Sequence, residues 1–187
     1  MALKATIFKA ELQIADVDRN YYHDHALTLA RHPSETDERM MVRLLAFAVN
    51  ASEDLTFCKG LSSEDEPDLW RKDLTGAIEL WIEVGLPDEK EIRKACGRAA
   101  QVRIYTYGGR GAALWWNQVG DTLDRCANLG VIDLSPEASL GLAGLARRNM
   151  RLQCTIQDGH AWFTDGETTV QVEPVTLKAP QVALRRT

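Results

Sequence analysis

The stretch 66–98, EPDLWRKDLTGAIELWIEVGLPDEKEIRKACGR, decides the fold. It reads as two strands, a tight turn and a helix opened by Pro87. Glycine tolerates the positive φ of a hairpin turn, which places the turn at Thr75-Gly76. Folding the chain there sets Asp68 opposite Glu83, Trp70 opposite Trp81 and Lys72 opposite Glu79. Side chains alternate along a strand, so these six share one face, and Leu69, Arg71, Leu80, Ile82 and Val84 take the other. Directly opposed residues have Cβ atoms roughly 4.5–5.5 Å apart. Two carboxylates at that separation repel unless a cation lies between them, and hard oxygen ligands suit Mg²⁺ or Mn²⁺. The same pattern describes an ordinary sheet, because Trp–Trp and Lys–Glu pairs stabilise hairpins unaided. A slip of one residue would put Asp68 and Glu83 on opposite faces.

The segment EPDLWRKDLTGAIELWIEVGLPDEKEIRKACGRAAQVRIYTYGG resembles the core of the YaeQ family of bacterial proteins. The likeness runs from KATIFKAELQIADVDRNYY at the start of the chain to its C-terminal strands. That family is similar to a variant of the PD-(D/E)XK nuclease superfamily, whose core is a helix, a central mixed sheet and a second helix. The resemblance implies a metal-dependent phosphodiester hydrolase acting on nucleic acid. Pro67-Asp68 matches the PD element, and Glu83 matches the acidic residue of (D/E)XK. Glu38, on the first helix, matches a third metal-site carboxylate, and the main-chain carbonyl of Val84 would complete the coordination of Mg²⁺ or Mn²⁺. Gly85 stands where the superfamily has a lysine that positions water and phosphate. Lys72, or a cation of the following helix such as Lys94, would then have to act in its place beside Asp68 and Glu83. The rival reading is a catalytically degenerate nuclease fold that serves as a nucleic-acid- or protein-binding regulatory module.

Working outward, 3–15 reads as a strand, 16–20 as a turn and 21–32 as a second strand. His23 and His25 lie two apart on one face of it, a spacing compatible with a metal or with a solvated polar face. Ser34 is read as the N-cap of a helix whose Glu38, Met41, Leu45 and Ala48 form one face. By position alone Glu38 is equally a carboxylate favoured by the helix dipole. A short strand 55–58, an acidic loop 60–66 read as mobile and the hairpin follow. The helix 88–98 carries Lys90, Arg93, Lys94 and Arg98, read as a solvated face or as a nucleic-acid-binding patch. Beyond it, 102–107 and 112–116 read as a hairpin across Gly108-Gly109-Arg110-Gly111. Gln101 and Tyr105 match the spacing of a Q-x-x-x-Y element of some nucleases in that superfamily. Helices are expected over 117–128 and from Ser135-Pro136-Glu137 to about 147, with a short strand 131–134 between them. Strands 151–157, 161–164 and 167–173 then form a meander with Asp-Gly turns, and the tail after Pro180 is expected to be loose.

The expected fold is α+β in one domain, 1–187. A nuclease-like core over about 34–130, a mixed sheet flanked by helices, sits beside a second sheet made from the N-terminal hairpin 1–32 and the C-terminal meander 150–175. At 187 residues the chain can bury a proper core. No apolar run approaches the ~18 residues of a membrane span, and the N-terminus has no signal-peptide pattern. Four cysteines without a C-x-x-C pair read as small buried hydrophobes in a reducing, cytoplasmic setting. The net charge of −5 argues mildly against strong nucleic-acid binding, which draws on phosphate neutralisation. No membrane partner is expected, and a monomer is compatible with the sequence.

Overall fold

The computed structural model describes residues 4–59 and 65–181. The hairpin strands β1 (Thr6–Asp16) and β2 (Tyr21–Arg31) open the chain, and α1 (Asp37–Asn50) and β3 (Leu55–Phe57) follow. Next come β4 (Leu69–Lys72), β5 (Ile78–Val84), α2 (Glu89–Arg98) and β6 (Ala99–Thr106). The chain continues through α3 (Arg110–Val119), a 3₁₀ turn (Asp121–Leu123), β7 (Leu129–Asp133) and α4 (Pro136–Gly144). It ends in β8 (Asn149–Gln157), β9 (His160–Thr164), β10 (Thr169–Val172) and β11 (Val175–Lys178).

The described residues form two mixed sheets and four helices. One sheet runs β10-β9-β8-β1-β2, so the two ends of the chain meet in it, with β1 parallel to β8. The other runs β11-β7-β6-β5-β4-β3, with β5, β6 and β7 parallel. Inward residues of β1 alternate without a break through Phe8, Ala10, Leu12 and Ile14. They pack on α1, which is buried on nearly every side because it lies between the two sheets. Leu69, Leu80, Ile82 and Val84 cover its other side, as the alternation predicts. The reverse face of the six-stranded sheet carries Trp81, Val102 and Ile104 under Ile92 and Ala95 of α2 and Trp115 of α3. α4 packs against α1 and β10.

The hairpin forms around Gly76 (φ +87), and Asp73 Oδ1 accepts from the Thr75 and Ala77 amides. Trp70 pairs with Trp81 as expected, but a bulge after Arg71 sets Lys72 opposite Ile78, and Glu79 ion-pairs with Arg71 instead. The cap of α1 is Thr36, whose hydroxyl accepts from Arg39 N, rather than Ser34, which bonds His32. α2 is capped by Asp88 in a capping box with Glu91, one residue beyond Pro87.

The expected return strand 112–116 is wrong: those residues are the middle of α3. The cause is topological. β6 and β7 are parallel, and parallel neighbours need a crossover where a two-residue turn cannot serve. The expected helix 117–128 accordingly shrinks to the end of α3 and the 3₁₀ turn. β11 adds a strand, beyond the expected meander, to the edge of β7. Most of the loop 60–66 and of the tail after Pro180 lies outside the described residues.

Candidate functional site

Asp68 sits just before β4, and its amide donates to Ile82 O, so strand pairing fixes it in place. Its side chain is 1% exposed and turns toward α1. Oδ2 accepts from Val84 N at 2.7 Å and from Arg39 Nη2 at 3.0 Å. The same Nη2 donates to the Val84 carbonyl at 3.0 Å. Arg39 Nη1 reaches Glu35 Oε1 at 2.9 Å. Arg43, one turn further along α1, forks onto Glu35 through Nε (2.7 Å) and Nη2 (2.8 Å), and its Nε stands 4.0 Å from Asp68 Oδ1. Two buried carboxylates and two guanidinium groups thus form one network at the junction of α1, β4 and β5. Burial pushes the Asp68 carboxyl up, while Arg39, Arg43 and the Val84 amide pull against it.

The other expected site residues stand as follows. Glu83 is half-buried, and its Oε1 accepts from Trp81 Nε1 at 2.8 Å. Its carboxyl is pushed up to about 8, by burial first and by the charge of Asp68 second. Asp68 and Glu83 are therefore electrostatic neighbours. Glu38 instead accepts from Ser139 Oγ of α4 at 2.7 Å. Lys72 Nζ lies 3.5 Å from the centre of the Trp70 ring, and Lys94 pairs with Asp65 at 2.7 Å. Among the described residues neither lysine has a hydrogen bond or ion pair to Asp68 or Glu83. Gly85 has φ +114, a conformation in which a lysine would be strained, so the backbone itself disfavours the superfamily's residue at this position. On α2, Lys90 is exposed, Arg93 pairs with Glu89 and bonds Thr122 O, and Arg98 lies over Trp81 at 5.1 Å.

A divalent cation held by Glu38, Asp68, Glu83 and the Val84 carbonyl would have to displace a cation that the protein itself supplies. The Arg39 guanidinium already bridges Asp68 and Val84 O, and Glu38 and Glu83 each accept from another donor. Among the described residues no group of three or more His, Cys, Asp or Glu side chains is placed to hold a metal. As arranged, these residues do not fit a resident divalent ion. One atom points the opposite way: Asp68 Oδ1 is buried and finds no hydrogen-bond partner among the described residues.

Arg39 and Arg43 were not singled out from the sequence, yet a signal existed. An arginine inside the apolar run MMVRLLAFAV must be buried, and a buried arginine needs a carboxylate. His25 Nε2 is taken by the Tyr21 hydroxyl at 2.8 Å, and its ring packs edge-on against Phe47. Tyr105 is buried, with its hydroxyl accepting from Asn50 Nδ2, while Gln101 on the same strand is exposed. All four cysteines are free thiols.

The raised carboxyl of Glu83 has a consequence for stability. Such a group binds more protons folded than unfolded. Its cost therefore sets in as pH rises above the ordinary 4.5 and is complete past about 8. Gln at this position keeps an oxygen for Trp81 and cannot ionise. Glu83→Gln is expected to gain little in melting temperature at about pH 5, progressively more up to about pH 8, and no more beyond. A gain that stays flat across that range in parallel melts would place Glu83 in water.

A family model described as YaeQ protein matches residues 1–174. The protein described as "Uncharacterized protein YaeQ" from Escherichia coli K12 is 48% identical over 180 residues, which cover 96% of this chain and 99% of that protein. The one of the same description from Salmonella typhi is equally similar. The crystal structure of YaeQ protein from Xanthomonas axonopodis pv. citri superposes with a TM-score of 0.91 at 49% identity, covering 94% of this chain and 99% of that one. That from Pseudomonas syringae gives 0.90 at 34% identity, covering 94% and 97%. No helix among the described residues is long and apolar enough to cross a membrane.

Proposed function

The chain belongs to the YaeQ family, and we propose that it is a nuclease-like scaffold of the PD-(D/E)XK kind that works as a binding module without metal-dependent turnover. One observation carries this reading: Arg39 Nη2 bonds both Asp68 Oδ2 and the Val84 carbonyl, so a fixed guanidinium neutralises the acidic position. A guanidinium can hold a carboxylate and a carbonyl, but it cannot supply a bound water of lowered pKa, which is what a metal contributes to hydrolysis. Gly85 in place of the superfamily's lysine supports the same conclusion. The binding face for nucleic acid is α2, with four cations against two carboxylates. Its Arg93 and Lys94 are held by exposed ion pairs of the kind that exchange partners at little cost.

The second reading is a Mg²⁺- or Mn²⁺-dependent phosphodiester hydrolase. It is favoured by Asp68 Oδ1, which has no hydrogen-bond partner among the described residues, beside a carboxyl raised to about 8.

One set of titrations separates the two. Fluorescent single- and double-stranded oligonucleotides are followed for binding and for cleavage, in EDTA and in millimolar Mn²⁺, over a range of salt. The expected result is binding without cleavage. The slope of log affinity on log salt should flatten by up to about one unit for each of Arg93 and Lys94 replaced by Gln. Mn²⁺-dependent cleavage that disappears in Glu83→Gln would establish the hydrolase instead. An unchanged slope would move the binding face away from α2.

A further inference from the structure

A cavity of about 410 Å³ opens between the two sheets, at the end where the β1–β2 turn meets the β8–β9 turn. It lies outside the Arg39–Asp68 network and within the size range of roughly 300–1,000 Å³ of small-molecule sites. Both sheets and α1 build it. Leu45 and Val49 of α1, Ile132 of β7 and Ile156 of β8 give it an apolar floor.

Its charges are uneven. Asp16, Asp18 and Asp158 line it against one guanidinium, that of Arg19, and one imidazole, that of His160. That guanidinium is already committed. Nε donates to Asp16 Oδ2 at 2.5 Å, Nη1 to Ala51 O at 2.9 Å, and Nη2 to Ala48 O at 3.4 Å. The guanidinium is therefore taken, and three carboxylates outnumber the one remaining basic group, His160. Asp18 accepts one amide on each oxygen, from Asp158 and Gly159, which fixes it and leaves lone pairs on both. Among the described residues the Asp158 carboxylate has only a 3.4 Å contact with Gln157 Nε2. The C-terminal end of α1 abuts the same space and has no basic residue in its last turn, so it is Arg19 that caps its carbonyls.

We propose that this cavity binds a small aliphatic amine, with the ammonium between Asp18 and Asp158 and the methylene stem on the floor formed by Leu45, Val49, Ile132 and Ile156. Charge complementarity selects the ammonium, and the apolar floor selects a stem of several carbons over ammonia itself.

The test is isothermal titration of the full-length protein with 1,5-diaminopentane, alongside pentan-1-ol and pentanoate. The expected result is saturable one-to-one binding of the diamine, with no saturable heat from the alcohol or the acid. Asp158 has φ +53, which asparagine adopts readily, so Asp158→Asn removes the charge without disturbing the turn. It should weaken the diamine at least tenfold. Val49→Phe, which fills the space from a half-buried position, should do the same through the stem. Glu79→Gln, on β5, which contributes no residue to the cavity, should leave affinity unchanged and so controls for attraction to an acidic protein at large. The proposal is overturned if the diamine does not saturate, if pentan-1-ol binds as well, if Glu79→Gln weakens binding as much as Asp158→Asn, or if both cavity variants retain full affinity.

Discussion

Glu35→Gln is expected to destabilise the protein by about 3–5 kcal/mol, the usual result of removing one partner of a buried ion pair. Glu35 is 6% exposed and holds both arginines: Arg43 through two bonds and Arg39 through a third. Glutamine can accept on one oxygen, but it turns an N–H₂ toward guanidinium donors and leaves Arg43 charged and 2% exposed. Asp68 Oδ1, 4.0 Å away, is too far to replace the lost bonds. For a chain of this length the loss corresponds to roughly 10 °C in melting temperature. A loss under about 1 kcal/mol by urea titration would mean that water reaches Arg43 and that the network is peripheral to stability.

Arg39→Ala is the second large effect, and it acts on function as well as on stability. Arg39 is more accessible than Arg43, 13% against 2% for the side chains, so the cost is placed at the lower end, about 3 kcal/mol. The chemistry left behind matters more. Without the guanidinium, Asp68 Oδ2 and the Val84 carbonyl lose a donor each, beside a Glu83 carboxyl that Asp68 already perturbs. That constellation is an acidic pocket from which one of two cations is gone, with Arg43 Nε still 4.0 Å from Asp68 Oδ1. The variant is expected to acquire a stabilising response to Mn²⁺ that the parent lacks, of the form RT ln(1 + [L]/Kd).

The parts of the fold that follow from local rules were legible in the sequence. Gly76 marks the turn, the Trp70–Trp81 pair sets the register, and the alternation of Leu80, Ile82 and Val84 identifies the inner face. The hairpin at the N-terminus and the strands at the C-terminus could be seen individually, and their two-residue rhythm made a shared sheet reasonable. What failed depended on distant partners. AALWW has the apolar, aromatic composition of a strand and is a helix because the parallel β6 and β7 need a crossover. The bulge after Arg71 has no sequence signature, so the Lys72–Glu79 pair did not form.

The candidate site divides in the same way. The hairpin brings Asp68 and Glu83 close enough to perturb each other, which spacing could indicate. That Glu38 turns to Ser139 depends on α4, a hundred residues further along the chain. That Arg39 stands in the expected place of a cation depends on where α1 lies between the two sheets. Spacing within the hairpin carries no information about that helix. Only the buried arginine in MMVRLLAFAV hinted that carboxylates near α1 would be matched by protein cations rather than by a metal.

The most direct test is a thermal melt of the parent protein and of Arg39→Ala, each in EDTA and in millimolar Mn²⁺. If Arg39 is the resident cation, Mn²⁺ leaves the midpoint of the parent where it was and raises that of the variant. A rise of several degrees in the parent, abolished by Glu83→Gln, would contradict the account and return the site to a metal.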